Sequence, residues 1–127
     1  MRKNAKVVGM AGAGGEGFFH RAREHARKLD RGEPIAPEIT VSFESAADML
    51  RVLSAERVRL LRTARTKRAP VSDLARMLKR DVRAVSRDVD LLESLGLLRT
   101  HYQTNPAHGR RRMVEPLAAK YQLVATI

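Results

Sequence analysis

Arg83, Ser86 and Arg87 are the residues best placed to do chemistry, and that chemistry is recognition. They fall in the run DVRAVSRDVDLLESLGLL, where Val85, Val89 and Leu92, extended by Val82 and Leu95, predict an amphipathic helix over about Val82 to Leu95. Residues four apart share a helix face, so Arg83 and Arg87 lie opposite the apolar stripe with Ser86 and Asp90. A guanidinium donates two hydrogen bonds to a guanine edge, and such a face can enter a major groove. Arg80 and Ser86 are expected to assist in base reading. Arg110, Arg111 and Arg112 follow the turn-forming NPAHG and suit backbone contact or a narrow minor groove. With Ser72, Lys79 and His108 they form the expected phosphate-holding set, which fixes register without reading sequence.

Other chemistries find no constellation. Cysteine is absent, which removes disulfides, thiolate nucleophiles and thiolate metal sites. His20 and His25 lie five apart, not on one helix face, so with Glu24 they match a metal site in residue type only. His101 and His108 lack an acid at useful spacing. GMAGAGGEG is followed by no Gly-Lys-Ser/Thr and preceded by no convincing strand, so it is read as part of a flexible arm over residues 1–17. No cofactor, no metal and no enzymatic activity are expected.

The elements that must position these residues can be read along the chain. Phe18 to Leu29 puts Phe19, Ala22, Ala26 and Leu29 on one stripe, a helix that Phe18 and Phe19 would dock onto the domain or a second subunit. Glu38 to Phe43 alternates Ile39, Val41 and Phe43 as a half-buried strand does. Ser45 and Ser54 read as N-caps, with Asp48 at a reach-back position and Leu53 and Val58 at staple spacing. The helix from Ala55 to about Arg65 buries Val58, Leu61 and Ala64; Arg57, Arg59, Arg62 and Arg65 are either a solvated face or phosphate contacts. Ser72 caps a helix from Asp73 to Leu78, in which Ala75 permits a close crossing. Lys79 to Asp81 is the turn, Asp81 the cap of the next helix, and Gly96 its end. A hairpin follows over Leu97 to Leu117, and Lys120 to Ile127 reads as an apolar strand. That strand would pair with Ile39-Val41-Phe43, a second copy or another protein. Tyr121, Leu123 and Ile127 are its candidate partner contacts.

Composition names the partner class. The 127 residues hold 25 Lys and Arg against 14 Asp and Glu, a net charge of +11, which implies a polyanion. No apolar run approaches the roughly 18 residues of a spanning helix, and the start lacks a signal-peptide core, so a cytoplasmic protein is expected. The few aromatics do not interleave with the arginines, which favours duplex over single-stranded nucleic acid. The organisation expected is an arm (1–17), N-terminal helices and strand for docking or dimerisation (18–66), a DNA-binding unit (67–117) and a C-terminal strand (118–127).

FESAADMLRVLSAERVRLL, then PVSDLARMLKRDVRAVSRDVDLLESLGLL, a hairpin and an apolar terminal strand resemble the winged-helix predicted transcriptional regulators related to MarR-type proteins, whose members include antitoxin components of toxin-antitoxin pairs. The resemblance spans roughly Phe18 to Ile127. It implies a mainly α fold with a small β-sheet (α+β), a winged helix-turn-helix with an N-terminal helical extension. Val82 to Leu95 would be the recognition helix and Leu97 to Leu117 the wing. Lys79 stands where such turns often carry Gly. The function implied is a dimeric repressor binding double-stranded DNA, with a cognate toxin as a second partner. A protein-interaction module with secondary DNA binding, and an RNA-binding protein, are the competing readings.

Overall fold

The computed structural model describes residues 6–10, 35–107 and 109–127. In chain order these form β1 (Lys6–Met10), β2 (Ala36–Phe43), α1 (Ala46–Val52), α2 (Ala55–Thr66), β3 (Ala69–Pro70), α3 (Val71–Leu78), α4 (Val82–Ser94), β4 (Leu98–Asn105), β5 (Gly109–Pro116) and β6 (Ala118–Ala125). The architecture is mixed α and β, with four helices and two small sheets among the described residues. One sheet is parallel in the order β1-β2-β6; the other is antiparallel in the order β3-β5-β4.

The parallel sheet follows from alternation. Ile39, Val41 and Phe43 are buried, and their register partners on β6 are Tyr121, Leu123 and Ala125, which pack on the same core. Paired residues on neighbouring strands share a face, so the two apolar sets coincide. Of the three partners open to the terminal strand, the chain's own β2 is the one it takes. Within the segment expected to be a flexible arm, Lys6–Met10 pairs in parallel with β2 from Lys6↔Ile39 to Met10↔Phe43. A five-residue strand owes its order to ladder bonds with its neighbour, a partner that its own short sequence does not reveal. The rest of the arm and the helix expected over Phe18 to Leu29, with Phe18, Phe19, His20, Glu24 and His25, lie outside the described residues.

The helices begin where their caps dictate. Ser45 Oγ accepts from the Asp48 N–H (3.1 Å) and Ser54 Oγ from the Arg57 N–H (3.3 Å). Leu53 is buried, Val58 packs against the core, and α2 buries Leu60, Leu61 and Ala64. Ser72 is not a cap: α3 starts at Val71 with Pro70 at the N-cap and no side-chain cap bond, because buried Val71 draws the first turn into the core. Ala75 is buried, as a close crossing by α4 requires.

Lys79 takes the turn position in a left-handed conformation, φ 54°. Its N–H donates to the Arg76 carbonyl (3.2 Å) and the Arg80 N–H to the Ala75 carbonyl (3.0 Å), closing α3 with a motif that usually carries glycine. A side chain there costs about 1–2 kcal/mol, partly offset because glycine would loosen the unfolded chain. Lys79→Gly is therefore expected to raise stability by about 0.5–1 kcal/mol, read as a higher urea midpoint at unchanged slope. A lower midpoint would show that the lysine side chain holds the turn by some other contact.

Asp81 Oδ2 accepts from the Arg83 and Ala84 N–H groups (3.0 and 3.3 Å) and so opens α4. Val85, Val89 and Leu92 are fully buried, but Val82 is 49% exposed. The stripe thus stops one turn short of the expected start. The first turn of α4 is open to solvent, with exposed Asp81 and Arg83 on either side of Val82. Gly96 (φ 78°) ends the helix, and the Leu97 N–H returns to the Leu92 carbonyl (3.0 Å).

Candidate nucleic-acid interface

α4 presents Arg83, Arg87 and Asp90 to solvent with Ser86 half-buried beside them. Among the described residues, no hydrogen bond or ion pair engages the guanidinium of Arg83 or Arg87. Arg83 also sits in the first helical turn, where the helix dipole disfavours a cation. Neither position serves the helix's own stability, and both guanidinium groups are free to meet an external acceptor.

Arg80 does not join them. Its side chain is 19% exposed, with Nη2 2.9 Å from Asp88 Oδ2 and Nε 3.3 Å from Glu56 Oε2. Asp88 is buried on the inner side of α4 and also accepts from Arg57 Nε (3.0 Å), while Arg57 Nη1 donates to the Val52 carbonyl (2.9 Å). Arg80 and Arg57 therefore tie the turn and α2 to α4, whereas the sequence alone places Arg80 beside the base-reading residues. Arg80 Nη1 is buried without a partner. Of the α2 arginines left open between solvent and phosphate, Arg59 and Arg65 donate to the carbonyls of Leu78 (3.3 Å) and Ala119 (3.3 Å), so they too brace the fold. Nothing in the sequence singled out Asp88, whose partner Arg57 lies 31 positions away.

The hairpin of β4 and β5 closes around Asn105↔Gly109, with Gly109 at φ 73°. His108 lies outside the described residues. The three arginines after it have three different surroundings. Arg110 stacks over the Tyr102 ring at 4.2 Å. Arg111 Nη2 lies 3.4 Å from Asp73 Oδ1 on α3. Arg112, 17% exposed, meets Asp90 (2.7 Å), Glu93 (3.1 Å) and Ser86 Oγ (3.4 Å) on α4. Glu93 also accepts from the Thr100 N–H and hydroxyl, both at 2.8 Å. Arg112, which the sequence alone groups with the phosphate-holding residues, thus docks the hairpin onto α4, because alternation along β5 turns it toward the helix. It occupies Ser86 as well. Ser72 and Lys79 are exposed. Ser72, Asp73, Arg76, Arg110 and Arg111 line a notch of about 620 Å³ between the start of α3 and the hairpin.

On the other face of the hairpin, Glu115 sits between Arg99 (2.7 Å), Arg68 (3.0 Å) and His101 (3.8 Å). Burial pushes its carboxyl up, but the hydrogen bond and charge of Arg99, with the charges of Arg68 and His101, outweigh that and hold it below the usual range. Tyr121 and Leu123 are half-buried against the chain's own core, so of the three candidate partner contacts on the terminal strand Ile127 is the exposed one. The Tyr121 hydroxyl donates to the Leu97 carbonyl and accepts from the Leu117 N–H (3.0 Å), tying β6 to both ends of the hairpin.

Burial pushes the Tyr121 hydroxyl up to about 12, against its backbone contacts. The chain has two tyrosines, and Tyr102 is exposed. An absorbance titration is expected to show one phenolate forming late, near pH 12. The raised value means that stability contributed by this tie is complete below pH 10 and is lost as pH climbs from about 10 through 12. A Tyr121 phenolate already formed near pH 10 in the folded chain would contradict the tie.

A family model named HVO_A0114 matches residues 52–114, just under half of the chain and the stretch from the end of α1 to most of β5. Among solved structures, the chain is similar to a "possible transcriptional regulator" from Methanosarcina mazei Go1. The likeness is at 18% identity and TM-score 0.47, over 54% of this chain and 61% of that one. The chain thus spans less than two thirds of that structure's length. No curated protein matches the sequence. No helix among the described residues is long and apolar enough to cross a membrane.

Proposed function

We propose that the chain is a winged helix-turn-helix protein that binds double-stranded DNA sequence-specifically and regulates transcription. α3 and α4 form the helix-turn-helix, α4 enters the major groove, and the β4–β5 hairpin is the wing. The observation that carries this reading is the contrast among the arginines: Arg80 and Arg112 are held by Asp88, Asp90 and Glu93, whereas Arg83 and Arg87 share one exposed face with no internal partner. Free guanidinium groups one turn apart can each take the O6 and N7 acceptors of a guanine. Ser72, Lys79, Arg110 and Arg111 stand at the helix start, the turn and the wing, where they hold phosphates and set register. The net charge of +11 supplies long-range attraction.

β6 lies at the edge of its sheet. A homodimer formed there would read an inverted repeat with half-sites about 10 base pairs apart. A repressor that is also the antitoxin of a cognate toxin is the narrower form of this reading, resting on the sequence resemblance. An RNA-binding protein would use the same charge. Selection from a random duplex pool, followed by competition with matched RNA at one salt concentration, tests the proposal. A recurring motif bound in preference to RNA is expected, and random recovery with RNA competing as well as DNA would overturn it.

A further inference from the structure

The acid that faces the phosphate-holding arginines is left without a part in DNA binding. Asp73 Oδ1 lies 2.8 Å from Arg76 Nη2 and 3.4 Å from Arg111 Nη2. The side chains of Asp73 and Arg111 are each 32% exposed and that of Arg76 is 77% exposed. Pairs this open are screened by water and salt and exchange readily, unlike the Arg112 cluster that docks the hairpin. Asp73 is also the one carboxylate among the described residues lining the notch, whose cations are Arg76, Arg110, Arg111 and Arg112. A phosphate entering there would meet cations already shared with a negative charge of the chain itself.

We propose that Asp73 is an internal competitor for phosphate: its carboxylate holds Arg76 and Arg111 in the free protein, and must yield them or repel the incoming phosphate when a polyanion binds. The inference rests on the DNA-binding reading and deepens it. The penalty falls on every duplex alike, because every duplex offers phosphates. Asp73 therefore sets the strength of binding and the ease of release, while Arg83 and Arg87 set preference. An acid in a first helical turn also favours the helix dipole, which alone would explain its presence without any effect on binding.

The test uses the full chain with Asp73→Asn, which keeps a hydrogen-bond acceptor and removes the charge, and Asp73→Glu, which keeps the charge. Dissociation constants are measured over a salt series for the selected duplex and a scrambled one, and retention on immobilised heparin is measured in parallel. Asp73→Asn is expected to tighten both duplexes by about 5- to 10-fold at low salt with an unchanged ratio between them, and to elute later from heparin. Asp73→Glu should stay near the unchanged chain. Equal or weaker binding by Asp73→Asn on both probes would overturn the inference, leaving Asp73 a helix-stabilising or arginine-positioning residue. A changed ratio between duplexes would overturn it as well. Later elution from heparin by Asp73→Asn, in a chain that binds neither duplex, would uphold the competitor and overturn the DNA reading instead.

Discussion

Asp88→Ala is expected to lower stability by about 3 kcal/mol, because it removes the counter-charge shared by two inward-turned guanidinium groups. Asp88 holds Arg57 at 3.0 Å and Arg80 at 2.9 Å, and its side chain is only 12% exposed. The arginines are 29% and 19% exposed, so water relieves part of the loss and the estimate sits at the low end of the range for broken buried pairs. Arg80 already carries one buried nitrogen without a partner, and the substitution would strand a second. Arg57→Ala should cost less, since Asp88 would keep Arg80. Replacing Arg57, Arg80 and Asp88 together by apolar side chains should cost less than Asp88→Ala alone, because the one charge then left without its partner, Glu56, is exposed to water. Urea unfolding of the four proteins checks the order; a loss under about 0.5 kcal/mol for Asp88→Ala would show that solvent screens the cluster. The consequence for function is geometric. Asp88 anchors α4 from its inner side, one residue beyond Arg87, so the cluster fixes how the exposed arginines are presented.

Arg87→Ala should weaken binding to the preferred duplex by about 1–3 kcal/mol, roughly 5- to 150-fold, with a much smaller loss on scrambled DNA. The physical ground is that Arg87 is exposed and makes no internal hydrogen bond or ion pair among the described residues. Its removal therefore leaves the folded state nearly as stable as before, and the loss is confined to the complex. Arg112→Ala should behave in the opposite way, since that side chain joins β5 to α4 through Asp90, Glu93 and Ser86. Equal losses on preferred and scrambled duplexes for Arg87→Ala would reassign it to phosphate.

What could be read from the sequence is what is set by neighbours a few positions away. Val85, Val89 and Leu92 recur at helical spacing, Asp81 and Gly96 bound their helix, Ser45 and Ser54 cap theirs, and Ile39, Val41 and Phe43 alternate. What could not be read depends on partners distant in the chain. An arginine is long enough to reach solvent or a carboxylate from the same backbone position, so composition alone could not separate Arg83 and Arg87 from Arg80 and Arg112. The pairing of Arg57 with Asp88, or of Arg112 with Glu93 19 positions back, decides that. Lys79 was the visible anomaly in the turn, and its left-handed φ explains why glycine is common there. An apolar terminal strand needs cover, which makes Tyr121 a candidate partner contact by sequence alone; the chain's own β2 and core cover it.

The claim that α4 reads bases is tested most directly by replacing guanines of the selected duplex, one at a time, with 7-deazaguanine, which removes the N7 acceptor and leaves the phosphates untouched. A loss of affinity is expected at one or two guanines of each half-site, with at least one of these losses vanishing in Arg87→Ala, because the group that met the missing acceptor is already gone. Losses that are the same in the unchanged chain and in Arg87→Ala, or no loss at any guanine, would contradict it.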